Sequence, residues 1–220
     1  MVEHAPVQHP PAITHPTVSQ ARLYKLTTSL KIVNNAAMAS KTTRRALDPK
    51  LMLTALQRLD ARMDQPARLV IGGGAAMTLA YGYPLATQDV DAFAARGGLR
   101  FGELDALARQ VADELHIAPD WLNAHFETFT GVLPADYVTR LRTVYTGECL
   151  QVDALGPEDL LVMKCFAGRD KDRPHARKLI QLASDLSVVD QQLSHLAGKR
   201  YPGASKAADY FDDLRDEVGL

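Results

Sequence analysis

From Asp48 onward, apolar residues recur at the spacings of regular secondary structure. Leu51, Leu53, Leu56, Leu59 and Met63 fall near helical spacing behind Asp48-Pro49, an N-cap followed by the residue best suited to the first helical position, and Pro66 forbids continuation. Arg68-Leu69-Val70-Ile71, stopped by glycine, predicts a buried strand, and residues 75–81 predict a short helix closed by Gly82 at its C-cap. A second strand is expected over 88–93. Phe101, Leu104, Leu107, Val111 and Leu115 mark a further amphipathic helix. Residues 141–145 and 150–154 predict a hairpin turning at Gly147, and Gly156-Pro157-Glu158-Asp159 opens a helix with acids in its first turn. Helical spacing then continues over 174–186, 187–197 and 204–217. The expected class is α/β, of the α+β kind: a small mixed sheet flanked by helices, with a helical C-terminal region.

The first 45 or so residues lack this periodicity. Pro6, Pro10, Pro11 and Pro16, three histidines and the single acid Glu3 leave little apolar surface to offset ordering entropy, so a disordered arm is expected. The arm is neither strongly Arg-rich nor clearly amphipathic, as a transit peptide would be; it reads as an extension without assigned function, or as the product of a start codon placed upstream of Met38. Its histidines support no metal site, since nothing fixes their geometry.

Composition narrows the function classes. With 220 residues, 46% hydrophobic and 23% charged, the chain has the profile of one well-buried core. A formal net charge of -1 excludes the chain-wide basic field of a nonspecific nucleic-acid binder. Cys149 and Cys165 have no metal-ligand spacing and no stretch has the length of a membrane span, so a cytoplasmic protein without a membrane partner is expected.

The chemistry concentrates in LVIGGGAAMTLAYGYPLATQDVDAF, residues 69–93. A glycine turn leading into a helix exposes backbone N–H groups and the positive end of the helix dipole, and missing Cβ atoms let a phosphate approach the main chain. No Lys-Ser or Lys-Thr follows, so this is not a Walker A loop, and the spacing of a dinucleotide fingerprint is absent. Taken alone, the three glycines serve tight strand-to-helix packing equally well. Asp89 and Asp91 shift the balance. On a strand, side chains at i and i+2 point the same way, and two carboxylates so placed repel unless a cation such as Mg²⁺, or Mn²⁺, lies between them.

Together, Gly73-Gly74, Gly82, Thr87 and Asp89-Val90-Asp91 resemble the glycine, threonine and paired-aspartate signature of minimal nucleotidyltransferases of the DNA polymerase β superfamily, in particular the DUF6036 group related to AbiEii-type and MenT-type toxins. The resemblance spans about residues 51–180. It implies a polymerase β-like fold over 46–185 with a C-terminal helical extension over 186–220. It also implies that Gly73 and Gly74, with Thr87, hold a nucleoside triphosphate, and that Asp89 and Asp91 bind Mg²⁺.

Two-metal phosphoryl transfer usually needs a third carboxylate, which in the superfamily lies on a strand next to that of the paired aspartates. Asp153, interrupting an apolar strand, reads either as that catalytic metal ligand or as a cap for the helix near Pro157. Lys164 resembles a family lysine that lies near the phosphates; the alternative is a lysine snorkelling to water beside an apolar stripe. Arg169, Lys171 and Asp172 resemble an R-x-K-D segment of similar proteins, which implies nucleotide contacts from Arg169 and Lys171; there another Asp follows where this chain has His175. Asp170 and Arg173 read as a solvated charge cluster. Trp121, in a stretch also common in the family, reads as a packing anchor ahead of a stacking platform, and Tyr81 and Tyr83 flank the glycines.

The resemblance therefore implies a Mg²⁺-dependent nucleotidyltransferase moving an NMP from an NTP to an unidentified acceptor: RNA such as tRNA, a protein or a small molecule. A role in a toxin–antitoxin or phage-defence pair, with a cognate partner, comes with it. The alternative is a noncatalytic nucleotide-binding module that keeps the fold. A metal phosphohydrolase is weaker, since no histidine lies near the aspartates.

Overall fold

The computed structural model describes residues 46–84, 87–95 and 101–220, with His125 described by its backbone alone. The arm expected over residues 1–45 lies outside them. Helix α1 (Pro49–Asp60) begins as its sequence requires: the Asp48 carboxylate accepts a hydrogen bond from the Leu51 N–H at 2.8 Å, and Pro49 occupies the first turn. Strand β1 (Ala67–Ile71) and helix α2 (Gly73–Tyr81) follow, with Gly82 closing α2 in the left-handed conformation. Strand β2 (Val90–Ala94) leads to α3 (Phe101–Leu115), and β3 (Leu122–Asn123) is a two-residue strand absent from the sequence expectation. Two 3₁₀ helices (His125–Val132 and Tyr137–Arg140) precede the hairpin of β4 (Arg142–Thr146) and β5 (Leu150–Ala154). Helices α4 (Pro157–Ala167), α5 (Arg173–Leu182), α6 (Ser187–Gly198) and α7 (Ala204–Val218) complete the chain.

The five strands form one mixed sheet in the order β3-β2-β1-β5-β4. β1 runs parallel to β5 and antiparallel to β2, while β2 runs parallel to β3 and β4 antiparallel to β5. Register and the two-residue side-chain period assign the faces. Leu69, Ile71, Val90, Ala92, Val152 and Ala154 share one face and are fully buried, in a core cluster with Met52, Leu56 and Leu59 of α1 and Leu104 and Val111 of α3. Arg68, Val70, Asp91, Phe93 and Asp153 share the other face, where Phe93 packs on Phe126 and Tyr137 of the 3₁₀ helices. Val189, Leu193, Phe211 and Leu214 of the last two helices join the same buried cluster.

Two carboxylates fasten the loops around the sheet. Arg140 donates to Asp159 through Nη2 (2.7 Å) and Nε (3.1 Å) while also gripping Asp136, pinning the second 3₁₀ helix to the start of α4. At the end of α1, Asp60 accepts the backbone N–H groups of Glu148, Cys149 and Leu150 at 2.7–3.0 Å and the Tyr145 hydroxyl at 3.1 Å, closing the β4–β5 turn; a Cβ on Gly147 would overlap that carboxylate.

Burial alone would raise the Asp60 pKa, but the donors hold it below the ordinary 3.8. A carboxylate depressed by folding contributes stability that is complete above its unfolded pKa and is lost as pH falls through the folded one. Asp60→Asn is expected to cost about 2 kcal/mol near pH 7 and less in acid near pH 3, as the wild-type carboxylate begins to take up its proton. Urea midpoints of both proteins at the two pH values measure this, and an equal gap at both would contradict it.

Candidate functional site

The site is built where β1 gives way to α2. Gly72 caps α2 with extended backbone and its N–H donates to the Asp91 carbonyl at 3.0 Å, which ties the glycine corner to β2. Gly73 lies in the left-handed region, at φ +57°, and a Cβ there would stand 2.6 Å from Asp91 Oδ2. A Cβ on Gly72 would stand 3.0 Å from the Phe126 ring. The glycines thus permit close approach on two sides, and the Asp91 carboxylate lies against the first turn of α2, where unsatisfied N–H groups and the positive dipole end are found.

On the neighbouring strand, Asn123 is the register partner of Asp91, so their side chains share a face, and Asn123 Nδ2 donates to Asp89 Oδ2 at 3.1 Å. Asn123 thus links the two aspartates: it stands level with Asp91 and holds Asp89, which lies just before β2 and so outside the strand whose two-residue period was expected to align the pair. Thr87 acts on the chain leading into this strand. It exchanges backbone hydrogen bonds with Leu47 at 2.7 and 3.3 Å, and its Oγ1 donates to the Asp89 carbonyl at 3.1 Å.

Helix α4 supplies the cationic side. Lys164 is buried, and its Nζ donates to Asp172 Oδ1 at 3.0 Å; Arg169 Nε donates to Asp172 Oδ2 at 2.6 Å. Burial pushes the Lys164 pKa down, while Asp172 and, more weakly, Asp91 favour the ammonium form. Burial would raise Asp172, but Lys164 and Arg169 hold it below 3.8, so it is ionised at neutral pH. His175 Nδ1 lies 3.6 Å from the same carboxylate, buried and without a hydrogen-bond partner among the described residues, with its ring edge-on to Tyr83. Burial and the Lys164 charge depress His175 below 6.5, leaving it neutral at pH 7.

Gly73, Asp91, Lys164 and Arg169 meet in a cavity of about 440 Å³, whose lining does not include Asp89, Thr87 or Gly74. Gly73, Asp91, Lys164 and Arg169 make it polar, and Phe126, Phe129, Met163 and Phe166 make it apolar. A corner of bare main chain, a carboxylate against it and two cations in one concavity are suited to a phosphate chain with its counter-cation. A family model described as "Nucleotidyltransferase of unknown function (DUF6036)" matches residues 50–197. The chain belongs to the DUF6036 family. No curated protein and no solved structure matches it.

The family's label and the fold agree with a nucleotidyltransferase domain. The triad of Asp89, Asp91 and Asp153 is not assembled. Asp153 pairs in register with Val70, so β1 lies between its strand and β2, a lateral offset of about two strand spacings, roughly 9–10 Å. Its carboxylate is engaged by Arg68 Nε and Thr143 Oγ1, both at 2.6 Å, and by Gln151, so it also does not cap α4, whose N-cap is Gly156. Among the described residues no group of three or more His, Cys, Asp or Glu is placed to hold a metal ion.

Of the basic residues in this DUF6036 chain, Lys164 does not snorkel to water, because Asp172 draws its ammonium inward. Lys171 is exposed and outside the cavity lining, and Asp170 is fully exposed, while Arg173 clips to Asp213 and Glu217 of α7. Trp121 is fully buried with Nε1 donating to the Ala108 carbonyl at 2.9 Å, the packing role. Tyr81 is committed to the Leu155 carbonyl at 2.7 Å, and burial raises its pKa to about 12. Gly74 accepts from Thr78 Oγ1 through its carbonyl. The residues that sequence reasoning left without a site role are Asn123, Asp172, Phe126 and Phe129. Asn123 follows Trp121 by two positions, but a two-residue strand offers no period to read.

No helix among the described residues is long and apolar enough to cross a membrane.

Proposed function

We propose that this DUF6036 protein transfers an NMP from an NTP to an acceptor in a Mg²⁺-dependent reaction. The observation that carries the reading is the Asp91 carboxylate seated against the first turn of α2, in one cavity with Lys164 and Arg169. Asp89 and Asp91, linked through Asn123, offer hard oxygen donors suited to a single Mg²⁺, or Mn²⁺, held by two carboxylates and completed by substrate phosphates and water. When bound there, the ion would draw charge from the transferring phosphorus.

The α2 N–H groups and Lys164 bind the phosphates, Asp172 holds Lys164 and Arg169 in place, and Asn123 orients Asp89. An acceptor oxygen then bonds to the α-phosphorus as the bond to the α–β bridging oxygen breaks; pyrophosphate leaves, and the acceptor's proton passes to solvent. The acceptor class comprises RNA such as tRNA, protein and small molecules, in a toxin–antitoxin or phage-defence setting with a cognate partner.

A noncatalytic nucleotide-binding role is the second reading. It is favoured by one observation: an amide, Asn123, and not a third carboxylate, stands level with Asp91 on the adjacent strand. Purified protein incubated with Mg²⁺, each labelled NTP in turn and total cell RNA or lysate decides between them. Transfer of label to a macromolecule, abolished by EDTA, is expected; nucleotide binding without transfer under every condition would leave only the second reading.

A further inference from the structure

We propose that Phe129 is the platform on which the nucleobase of the bound NTP stacks, and that the base is recognised by its face and not by its edge. The proposal rests on the nucleotidyltransfer reading of the same cavity and adds the recognition of the base. Phe129 is one of few large apolar residues left exposed among the described residues, at 54%, and it lines the cavity that also holds Asp91 and Lys164.

The 3₁₀ helix that carries Phe129 is pinned on both sides. Toward its start, Phe126 is buried with its ring against Gly72 and 5.2 Å from the Phe93 ring. Toward its end, the Val132 carbonyl accepts from Gln192 Nε2 at 2.7 Å, and the Gly131 backbone lies close to the Tyr201 hydroxyl. Tyr201 in turn holds the Phe166 ring edge-on at 5.9 Å. Two of the cavity's aromatic rings are thus occupied by packing, while the third stays exposed on a fixed segment.

The charges at the other end state which molecule fits. A phosphate chain at Gly73, Asp91 and Lys164 places the rest of a nucleotide, a sugar and a flat aromatic ring, toward the apolar wall. An apolar wall with an exposed aromatic matches a base, since every base has a π-face. The described lining brings no amide or hydroxyl side chain to this wall, and Arg169 directs its Nε to Asp172, so the base edges meet little side-chain hydrogen-bond code. Stacking area then sets the preference: purine nucleotides bind more tightly than pyrimidine ones, with all four within about tenfold.

The test is calorimetric titration, in the presence of Mg²⁺, of wild type, Phe129→Ala and Phe129→Trp with ATP, GTP, CTP, UTP and inorganic triphosphate. Phe129→Ala is expected to weaken each NTP by about tenfold or more while leaving inorganic triphosphate unchanged, and Phe129→Trp to retain NTP affinity. NTPs that bind no more tightly than inorganic triphosphate, an equal loss for both in Phe129→Ala, or one base preferred by more than about a hundredfold would overturn the platform while the phosphate site stands. Absence of binding by NTPs and triphosphate alike would overturn both the platform and the proposed function.

Discussion

Asp91→Asn is expected to abolish NMP transfer, by about a thousandfold or more, while the protein unfolds at an unchanged urea midpoint. The amide keeps the size of the side chain beside Gly73 but removes one of two negative charges proposed to hold the metal, and the chain loses the means to balance charge at the phosphates. Asp153→Asn gives the contrast. Its carboxylate serves Arg68, Thr143 and Gln151, so the amide should lower stability by about 1–3 kcal/mol and leave transfer per folded molecule near the wild-type rate. Single-turnover assays with urea titrations on both variants separate the roles. Full transfer by the Asp91 variant, or loss of transfer in a folded Asp153 variant, would contradict this division of labour.

The second large effect is expected at Asp172. Its carboxylate is buried and holds both Lys164 and Arg169, so Asp172→Asn strands a buried ammonium and should destabilise the fold by about 3–5 kcal/mol. Burial already presses the Lys164 pKa down, and losing its partner lowers it further. The variant should therefore bind inorganic triphosphate less tightly at pH 7 and recover part of that affinity as pH falls and Lys164 regains its proton. Lys164→Met combined with Asp172→Asn removes both charges together and should restore much of the stability without restoring transfer. Urea midpoints of the single and double variants, with triphosphate titrations across pH, check both halves; a double variant no more stable than Asp172→Asn would refute the stranded-charge account.

The legible parts of this protein are those governed by short-range rules. The Asp48-Pro49 start of α1, the Gly82 stop of α2 and the 142–154 hairpin appear close to where the residues put them, because caps, prolines and apolar periods act within a few residues. The membership in DUF6036 was likewise legible, since the glycines and paired aspartates lie in a single 25-residue stretch and their order is local.

Side-chain partnership across the sheet was not legible. A strand's period states which residues share a face but not which strand lies alongside, and that choice moved the expected third carboxylate. β5 settled beside β1, so Asp153 met Arg68 and Thr143, and the place beside Asp91 went to Asn123 on a strand too short to carry a pattern. Lys164 followed the same logic. Its helix was foreseen, but only the return of the chain through Asp172 turned its ammonium inward. By itself the sequence determined the longer helices and strands, the glycine corner and the paired acids, because each depends on neighbours along the chain. The tertiary structure alone decided which charges meet, because that depends on strand order and on loops whose ends are far apart in sequence.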